Sequence, residues 1–295
     1  MSRSSLLQDL QYWIEAAFLR TAIFLFRLIP VDMASAAMGF FWRMLAPFNS
    51  RHKRALRHLA LALPETSEEQ RQAIVKGMWD NLGRVAAETF HIADLMVQND
   101  RYEVFPDERT QKILDENTAC VWVSLHSGNW ELCVQPPVRR GHNVTGVYQA
   151  LKNPITDAIL RDMRQALYRG GLYSKGHQTA RKLISTLRQG GSVGIMADLR
   201  ETRGIKVPFF GLPAYATPIP ASLARTCGVP IIAGRVVRTK GVHFRIEGRY
   251  IEVPQTDDRK ADIEAATIEI HKIFEEWIRE NPEQWMWIHR KWALA

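Results

Sequence analysis

The first fifty residues are strongly apolar, but charges interrupt the apolar pattern at regular intervals. Every window of about 20 residues that a membrane-spanning helix would need between positions 12 and 45 holds at least one charged side chain. These side chains are Glu15, Arg20, Arg27 and Asp32. Pro30 predicts a break near the middle of the segment, because proline cannot continue a helix. The pattern therefore predicts two apolar helices.

The spacing within this segment favours an amphipathic helix that lies in the membrane interface. Arg20 and Arg27 are seven residues apart and share one side of a helix, whereas Phe18, Leu25 and Leu28 share another. We expect the arginines to face lipid phosphates. A helix packed on the protein's own core and a tilted span stay open as alternatives. Residues 1–50 are assigned to a membrane-associating extension and residues 51–295 to a separate domain.

A run of basic residues, RHKRALRH, follows at residues 51–58. It fits a solvated helix face or a contact with anionic head groups. Ser67 is suited to cap a helix that runs to about residue 95, so residues 12–98 are predicted to be helical throughout. Near the other end, Trp285, Trp287 and Trp292 offer a second set of rings suited to a membrane interface.

The pattern changes after residue 117 to short apolar runs that alternate with helical stretches. Buried strands are predicted at residues 119–125, 144–149 and 192–197. Helices are predicted at residues 155–168, 178–189 and 258–280. A strand pair is predicted at residues 229–237 and 242–253, with the second strand at an edge. Such alternation predicts an α/β domain whose mixed, mostly parallel sheet is covered by helices.

Composition narrows the range of functions. The chain has 295 residues, 46% of them apolar, and a formal net charge of +8, which predicts acidic partners. Its three cysteines form no C-x-x-C pair, which favours a reducing compartment over a disulfide framework. Zinc-finger spacing, an RNA-recognition signature and a Gly-rich phosphate loop are all missing from the sequence. We therefore expect no nucleic acid partner and no cofactor.

His126 carries the clearest candidate chemistry, because it directly follows the predicted strand 119–125. Active sites of open α/β sheets form at the carboxyl ends of strands. Glu131 lies five residues further on, in the segment HSGNWE, and a carboxylate beside a histidine makes a base at neutral pH. Backbone N–H groups of residues 128–130 are candidates to stabilise an oxyanion. A structural role for the pair stays open on the residues alone.

Three further residues are candidates for binding or supporting roles. Asp198 ends the predicted strand 192–197, so it shares an edge with His126 if the two strands are parallel neighbours. Alternatively, Asp198 caps a turn or pairs with Arg200. Arg161 and Arg164 are three residues apart on one helix face, which suits phosphate recognition as well as a solvated basic face.

At HSGNWE the chain resembles the late acyltransferases of lipid A biosynthesis, the lauroyl and myristoyl transferases of the lysophospholipid acyltransferase group. The likeness extends to the apolar, Arg-containing start and to three later segments, in the same order. These are VYQALKNPITDAILRDMR (147–164), GSVGIMADLRETRGIKVPFFGLPAYATP (191–218) and PEQWMWIHRKW (282–292). Leu199 stands where the family has Gln, and Gln149 where it has Arg. These differences bear on the acceptor more than on the chemistry.

The resemblance implies a glycerolipid-acyltransferase-like fold and makes His126 and Glu131 the catalytic dyad. It assigns supporting or binding roles to Arg161, Arg164 and Asp198. An acyl-carrier-protein thioester, or acyl-CoA, would be the donor. A phosphorylated glycolipid, most simply a lipid A precursor, would be the acceptor, at the cytoplasmic face of the inner membrane.

Three other functions remain as alternatives. A thioesterase or lipid hydrolase would use the same site with water as the acceptor, although no G-x-S-x-G elbow is present. A non-enzymatic protein would bind anionic membranes through its basic charge. A metal enzyme is a weaker possibility, because no H-E-x-x-H set joins His126 and Glu131.

Overall fold

The computed structural model describes residues 3–292, which form a seven-stranded sheet with helices on both faces. The strands are β1 (Tyr102–Pro106), β2 (Val121–Ser124), β3 (Val144–Tyr148), β4 (Leu172–Ser174), β5 (Ser192–Met196), β6 (Ile205–Phe209), β7 (Leu212–Ala216), β8 (Ile231–Lys240) and β9 (His243–Ile251). The helices are α1 (Arg3–Arg27), α2 (Val31–Leu45), α3 (Ser50–Ala62), α4 (Glu68–Thr89), α5 (Ile92–Val97), α6 (Glu108–Glu116), α7 (Gln135–Arg139), α8 (Pro154–Arg164), α9 (His177–Arg188), α10 (Ile219–Cys227) and α11 (Arg259–Glu280).

The sheet has the order β1-β9-β8-β2-β5-β3-β4, and β6 and β7 form a separate antiparallel hairpin. All neighbours in the large sheet are parallel except β8 and β9. The mixed, mostly parallel sheet covered by helices is therefore confirmed. Strand β2 lies near the centre, between β5 and β8, and all four of its residues are buried. Burial on both faces explains why this strand is a continuous apolar run.

Two details of the sheet differ from the prediction. Strand β9 was expected at an edge, but it pairs with β8 on one side and with β1 on the other. The alternating pattern of β9 suggested an edge because its neighbour β1 could not be recognised in the sequence. Strand β1 is short, and its residues are exposed or half-buried, so it has no apolar run. The β6–β7 hairpin was missed for a related reason, since Pro208 and Pro213 argue against strands in a sequence.

The long predicted helix begins as expected but ends early. Ser67 caps α4 in a capping box with Gln70, and each side chain bonds the other residue's backbone N–H. The helix ends at Thr89, and α5 follows as a separate short element. Residues 3–98 are nonetheless helical apart from their turns and 3-10 helices.

Helices α1 and α2 are separated at Pro30, as the sequence predicted. Most of the exposed large apolar side chains of the described residues lie on these two helices, in the turn between them and on the 3-10 helix that follows. They are Leu7, Leu10, Trp13, Ile14, Phe18, Phe24, Leu25, Leu28, Met33, Phe40, Phe41, Met44, Leu45 and Phe48. We name this set the apolar surface. Among residues 3–292, no helix is both long and apolar enough to cross a bilayer.

Contact of the α1 arginines with lipid phosphates stays a prediction, but Arg27 already has partners within the protein. Arg20 is exposed, but Arg27 pairs with Asp94 at 3.3 Å and also donates to the carbonyl of Phe90. Arg27 therefore anchors α1 to the protein. Helix α2 packs on α4, where a side chain at Gly83 would meet the Met38 carbonyl at 2.5 Å. The close approach requires glycine at this position.

The three tryptophans offered as a second interfacial anchor are instead part of the core. Trp285, Trp287 and Trp292 are at most 2% exposed, and they pack against Phe209 and Phe210 of the β6–β7 hairpin. This prediction was wrong because ring chemistry alone does not distinguish a membrane interface from a buried aromatic cluster.

Candidate active site

His126 and Asp198 meet at the carboxyl edge of the sheet because β2 and β5 are parallel neighbours. His126 Nδ1 lies 2.7 Å from Asp198 Oδ1. Asp198 Oδ2 accepts a hydrogen bond from the backbone N–H of His126 and another from Trp285 Nε1, both at 2.9 Å. The predicted shared edge is confirmed. The alternative pairing with Arg200 is not seen, since that guanidinium lies over the Tyr215 ring.

The Asp198 carboxylate is buried and charged. Burial alone would raise its pKa, but the attraction of His126 and the hydrogen bonds from His126 and Trp285 hold the pKa well below its ordinary value. A carboxylate can only accept hydrogen bonds, so His126 must carry a proton on Nδ1. With Nδ1 protonated, the neutral ring carries its free lone pair on Nε2. The Nε2 atom has no hydrogen-bond partner within residues 3–292. This arrangement has the geometry that a general base needs.

The turn after His126 is fixed by Gly128, whose φ is +57°. A Cβ at this position would lie 1.9 Å from the Val236 carbonyl oxygen on β8. The Gly128 N–H donates to the carbonyl of Gln284, and its carbonyl accepts from Asn81 Nδ2. Positive φ and this close approach together exclude any other residue.

These bonds correct one expectation for the oxyanion. The amide of Gly128 is already bonded to Gln284, so it is not available to an oxyanion as predicted. The amides of Asn129 and Trp130 have no partner in the described part of the chain. Of the predicted donors, those two amides remain.

Glu131 lies in the 3-10 helix Trp130–Val134 and pairs with Arg164 rather than hydrogen-bonding His126. Its Oε1 is 2.6 Å from Arg164 Nη2, and its side chain is 9% exposed. The carboxylate that orients the His126 ring is thus Asp198. A catalytic role for Glu131 stays a prediction, and its ion pair places Arg164 near the turn that carries His126.

Arg161 and Arg164 share helix α8 but have different partners. Arg161 pairs with the adjacent Asp162 on the surface, whereas Arg164 reaches the buried Glu131. Both guanidiniums are therefore already paired with a carboxylate. Phosphate recognition by these two arginines stays a prediction.

A buried ion pair that the sequence did not indicate contacts the turn after His126 through Asn129. Glu88 is fully buried, and its carboxylate lies 2.6 Å from Arg238 Nη1. Its other oxygen accepts from Asn129 Nδ2 at 2.7 Å. No sequence signal could have found this network, because its members are 41 and 150 residues apart.

The segment 282–292 closes the site from the other side. Met286 N–H donates to the His126 carbonyl at 3.1 Å, and Trp285 forms a β-bridge with Ser127. With the bond from Trp285 Nε1 to Asp198, this segment holds both members of the His126–Asp198 pair. Sequence reasoning noted the segment as part of the resemblance and its tryptophans as interfacial rings, but it missed the contact of the segment with the site.

A second buried pair joins the same segment to helix α11. Lys291 Nζ donates to His271 Nε2 at 2.9 Å, and His271 Nδ1 donates to the Thr267 carbonyl. Burial lowers the pKa of Lys291 to about 7, although the charge of Asp198 opposes this shift. Within the described residues no group of three histidine, cysteine or acidic side chains is placed to hold a metal.

Comparison with known proteins identifies the family of the chain. The model of the bacterial lipid A biosynthesis acyltransferase family matches residues 1–293. A lipid A biosynthesis lauroyltransferase of Escherichia coli K12 is 26% identical over 82% of this chain and 78% of its own length. The E. coli palmitoleoyltransferase is 24% identical over 84% and 81%. A phosphatidylinositol mannoside acyltransferase of Mycobacterium tuberculosis is 28% identical over 57% and 52%. The chain belongs to the bacterial lipid A biosynthesis acyltransferase family.

Proposed function

We propose that this glycolipid acyltransferase moves a fatty acyl group from an acyl-carrier-protein thioester to a lipid A precursor. The acceptor group would be a hydroxyl of the sugar or of an acyl chain already attached to it. Family membership supports acyl transfer to a glycolipid. The observation that carries the chemistry is the His126 ring, held at Nδ1 by buried Asp198 with Nε2 left as a base.

In the proposed reaction, His126 Nε2 takes the proton of the acceptor hydroxyl as its oxygen attacks the thioester carbonyl carbon. Asp198 stabilises the imidazolium that forms. The backbone amides of Asn129 and Trp130, which have no partner within residues 3–292, would donate to the oxyanion. Collapse of the tetrahedral intermediate breaks the carbon–sulfur bond, and the leaving thiolate takes the proton from His126. An ester and a free thiol result, and no protein nucleophile is needed.

The proposed function is tested by product analysis. Purified protein with acyl carrier protein loaded with a fatty acid, and a lipid A precursor, should give a lipid heavier by one acyl group in mass spectrometry. Acyl-CoA in a parallel reaction tests the donor. Release of free fatty acid at the same rate without the acceptor would contradict the proposal and favour a thioesterase.

We also propose that the protein acts at the cytoplasmic face of the inner membrane and binds it through the apolar surface. Exposed apolar patches of this size mark interaction sites in soluble chains. Phe18 is 78% exposed and Phe48 is 88% exposed, so water covers rings that a bilayer would bury. Interfacial binding by an amphipathic helix needs no spanning segment.

Replacing Phe18, Phe41 and Phe48 by serine together should weaken binding to anionic vesicles. Burying each ring contributes roughly 1 kcal/mol or more, so the partition constant should fall about 100-fold or further. Co-sedimentation with vesicles measures the change. Phe105→Ser is the matched control, because this ring is 53% exposed on β1 and lies outside the apolar surface. Equal binding by the triple variant and the wild-type protein would overturn the proposal.

A further inference from the structure

Helix α3 docks directly on the segment that closes the active site. Arg54 Nη1 donates to the Ile288 carbonyl at 3.1 Å, and His58 Nδ1 donates to the Trp287 carbonyl at 2.9 Å. Two residues before Ile288, the backbone N–H of Met286 bonds the His126 carbonyl. The basic run of residues 51–58 is therefore tied to the catalytic turn through one short segment.

Four arginines gather where α3 meets this segment: Arg51, Arg54 and Arg57 on the helix, and Arg290 on the segment. We name them the basic cluster. Arg54 is half-buried, and its pKa is lowered by burial and by the charges of Arg290, Arg51 and Arg57. In the part of the chain that the structure describes, none of the four pairs with a carboxylate. The cluster holds mutually repelling cations that an anion would stabilise.

The contrast with helix α8 is informative. Arg161 and Arg164, the arginines that the sequence pattern proposed for phosphate, are each paired with a carboxylate. The unpaired guanidiniums lie instead on α3 and the 282–292 segment. An anionic ligand gains more from unpaired arginines, since no existing ion pair must be broken.

The cluster lies close to the reacting atoms. The His289 ring centroid is 6.2 Å from that of His126, and the charges of both Arg51 and Arg54 act on His289. Burial and the neighbouring His126 lower the pKa of His289 to about 4, so this ring is neutral at neutral pH. Positive charge beside the catalytic histidine therefore comes from the arginines.

We propose that the basic cluster binds a phosphate group of the substrate whose reacting group lies at His126. This inference rests on the proposed acyl transfer and adds a binding subsite to it. Guanidinium groups present pairs of N–H donors that match two phosphate oxygens. The phosphate belongs either to the glycolipid acceptor or to the phosphopantetheine arm of the donor. The half-buried position of Arg54 against Ile288 favours a bound substrate over the surface of a bilayer.

The double variant Arg51→Gln/Arg290→Gln tests the subsite, because both residues are exposed and Arg54 keeps its bond to Ile288. The KM of the phosphorylated substrate should rise about 10- to 100-fold with kcat within a few-fold of the wild-type value. Lys53→Gln is the matched control, since Lys53 is exposed on the same helix. If the cluster instead contacted a bilayer, Lys53 would matter as much as Arg51. Equal effects of Lys53→Gln and of the double variant on KM, together with loss of vesicle binding in both, would overturn the proposal.

Two substrate pairs then identify the source of the phosphate. The acceptor is used with and without its phosphates, and the donor as acyl phosphopantetheine and as acyl pantetheine. The penalty of the double variant should disappear when the responsible phosphate is absent. A penalty that persists with both dephosphorylated substrates, or no penalty with any substrate, contradicts the subsite.

A binding measurement separates this inference from the proposed function. Titration of the wild-type protein with pyrophosphate should give a binding signal that weakens about tenfold or more in the double variant and not in Lys53→Gln. No acyl transfer by the wild-type protein, with this binding difference intact, would refute the proposed reaction alone. Transfer with no binding difference and no KM effect would refute the subsite alone.

Discussion

The His126→Ala variant is expected to lose acyl transfer by a factor of about 10²–10⁴, the usual contribution of a positioned general base. His126 Nε2 is the proposed base, and among the histidines whose side chains the structure describes no other is held by a buried carboxylate as His126 is by Asp198. The effect should fall on kcat, because the proton moves in the transition state. Steady-state rates with a saturating acceptor measure it.

Two variants serve as comparisons for His126→Ala. His243→Ala should retain the wild-type rate, because the His243 ring is exposed at the start of β9 and bonds only the Lys240 carbonyl in the described structure. Glu131→Gln tests the second member of the predicted dyad and is expected to lose transfer as well. Wild-type rates in His126→Ala, with circular dichroism unchanged, would exclude the base. Wild-type rates in Glu131→Gln would leave His126 and Asp198 as the catalytic pair.

The Asp198→Asn variant should lose about 10³–10⁴ in kcat while it keeps its shape. Asp198 Oδ2 accepts two N–H groups, from His126 and Trp285, so the amide NH₂ of asparagine cannot occupy that position. The NH₂ must then face His126 Nδ1, which becomes an acceptor. The ring proton moves to Nε2, and the base is lost. Rates and the ring tautomer, read by ¹⁵N NMR, measure the two effects.

A graded control accompanies this variant. Trp285→Phe keeps an aromatic side chain but removes the indole N–H, which is one of the two donors to Asp198 Oδ2. It should therefore lower kcat by about tenfold, much less than Asp198→Asn. A rate in Asp198→Asn equal to that in Trp285→Phe would contradict the tautomer argument.

The stability of the fold gives a further check on Asp198. Because its pKa is lowered in the folded protein, the ionised carboxylate stabilises the fold at pH values above the ordinary pKa of an aspartate, and this contribution is lost as the pH falls below about 4. The unfolding free energies of the wild-type protein and of Asp198→Asn should therefore converge in acid.

The position of His126 was predictable because it rests on local signals. A short apolar run rich in β-branched residues marks β2, and the HSGN sequence after it marks the turn. The same reasoning at β5 placed Asp198, and parallel pairing of the two strands brought both residues to one edge. The helical start and the helix-covered sheet followed from the same periodic patterns.

The partners of these residues were not predictable, because they come from distant parts of the chain. The pairing of Glu131 with Arg164 and the bond from Trp285 to Asp198 join segments through packing, which leaves no periodic trace in the sequence. The basic run of residues 51–58 shows the same limit. Its charge was visible, but its place beside His289 and Arg290 depends on how α3 docks.

The joining of His126, Asp198 and Trp285 has a consequence for biogenesis. These residues are separated by 72 and 87 positions, so none of the three segments can assemble the pair without the others. In a folding intermediate with native helices but without native side-chain packing, Asp198 would not orient the His126 ring. Such an intermediate could not hydrolyse the activated fatty acid. Recovery of activity on refolding should follow the near-ultraviolet signal of the buried tryptophans and lag behind the far-ultraviolet helix signal.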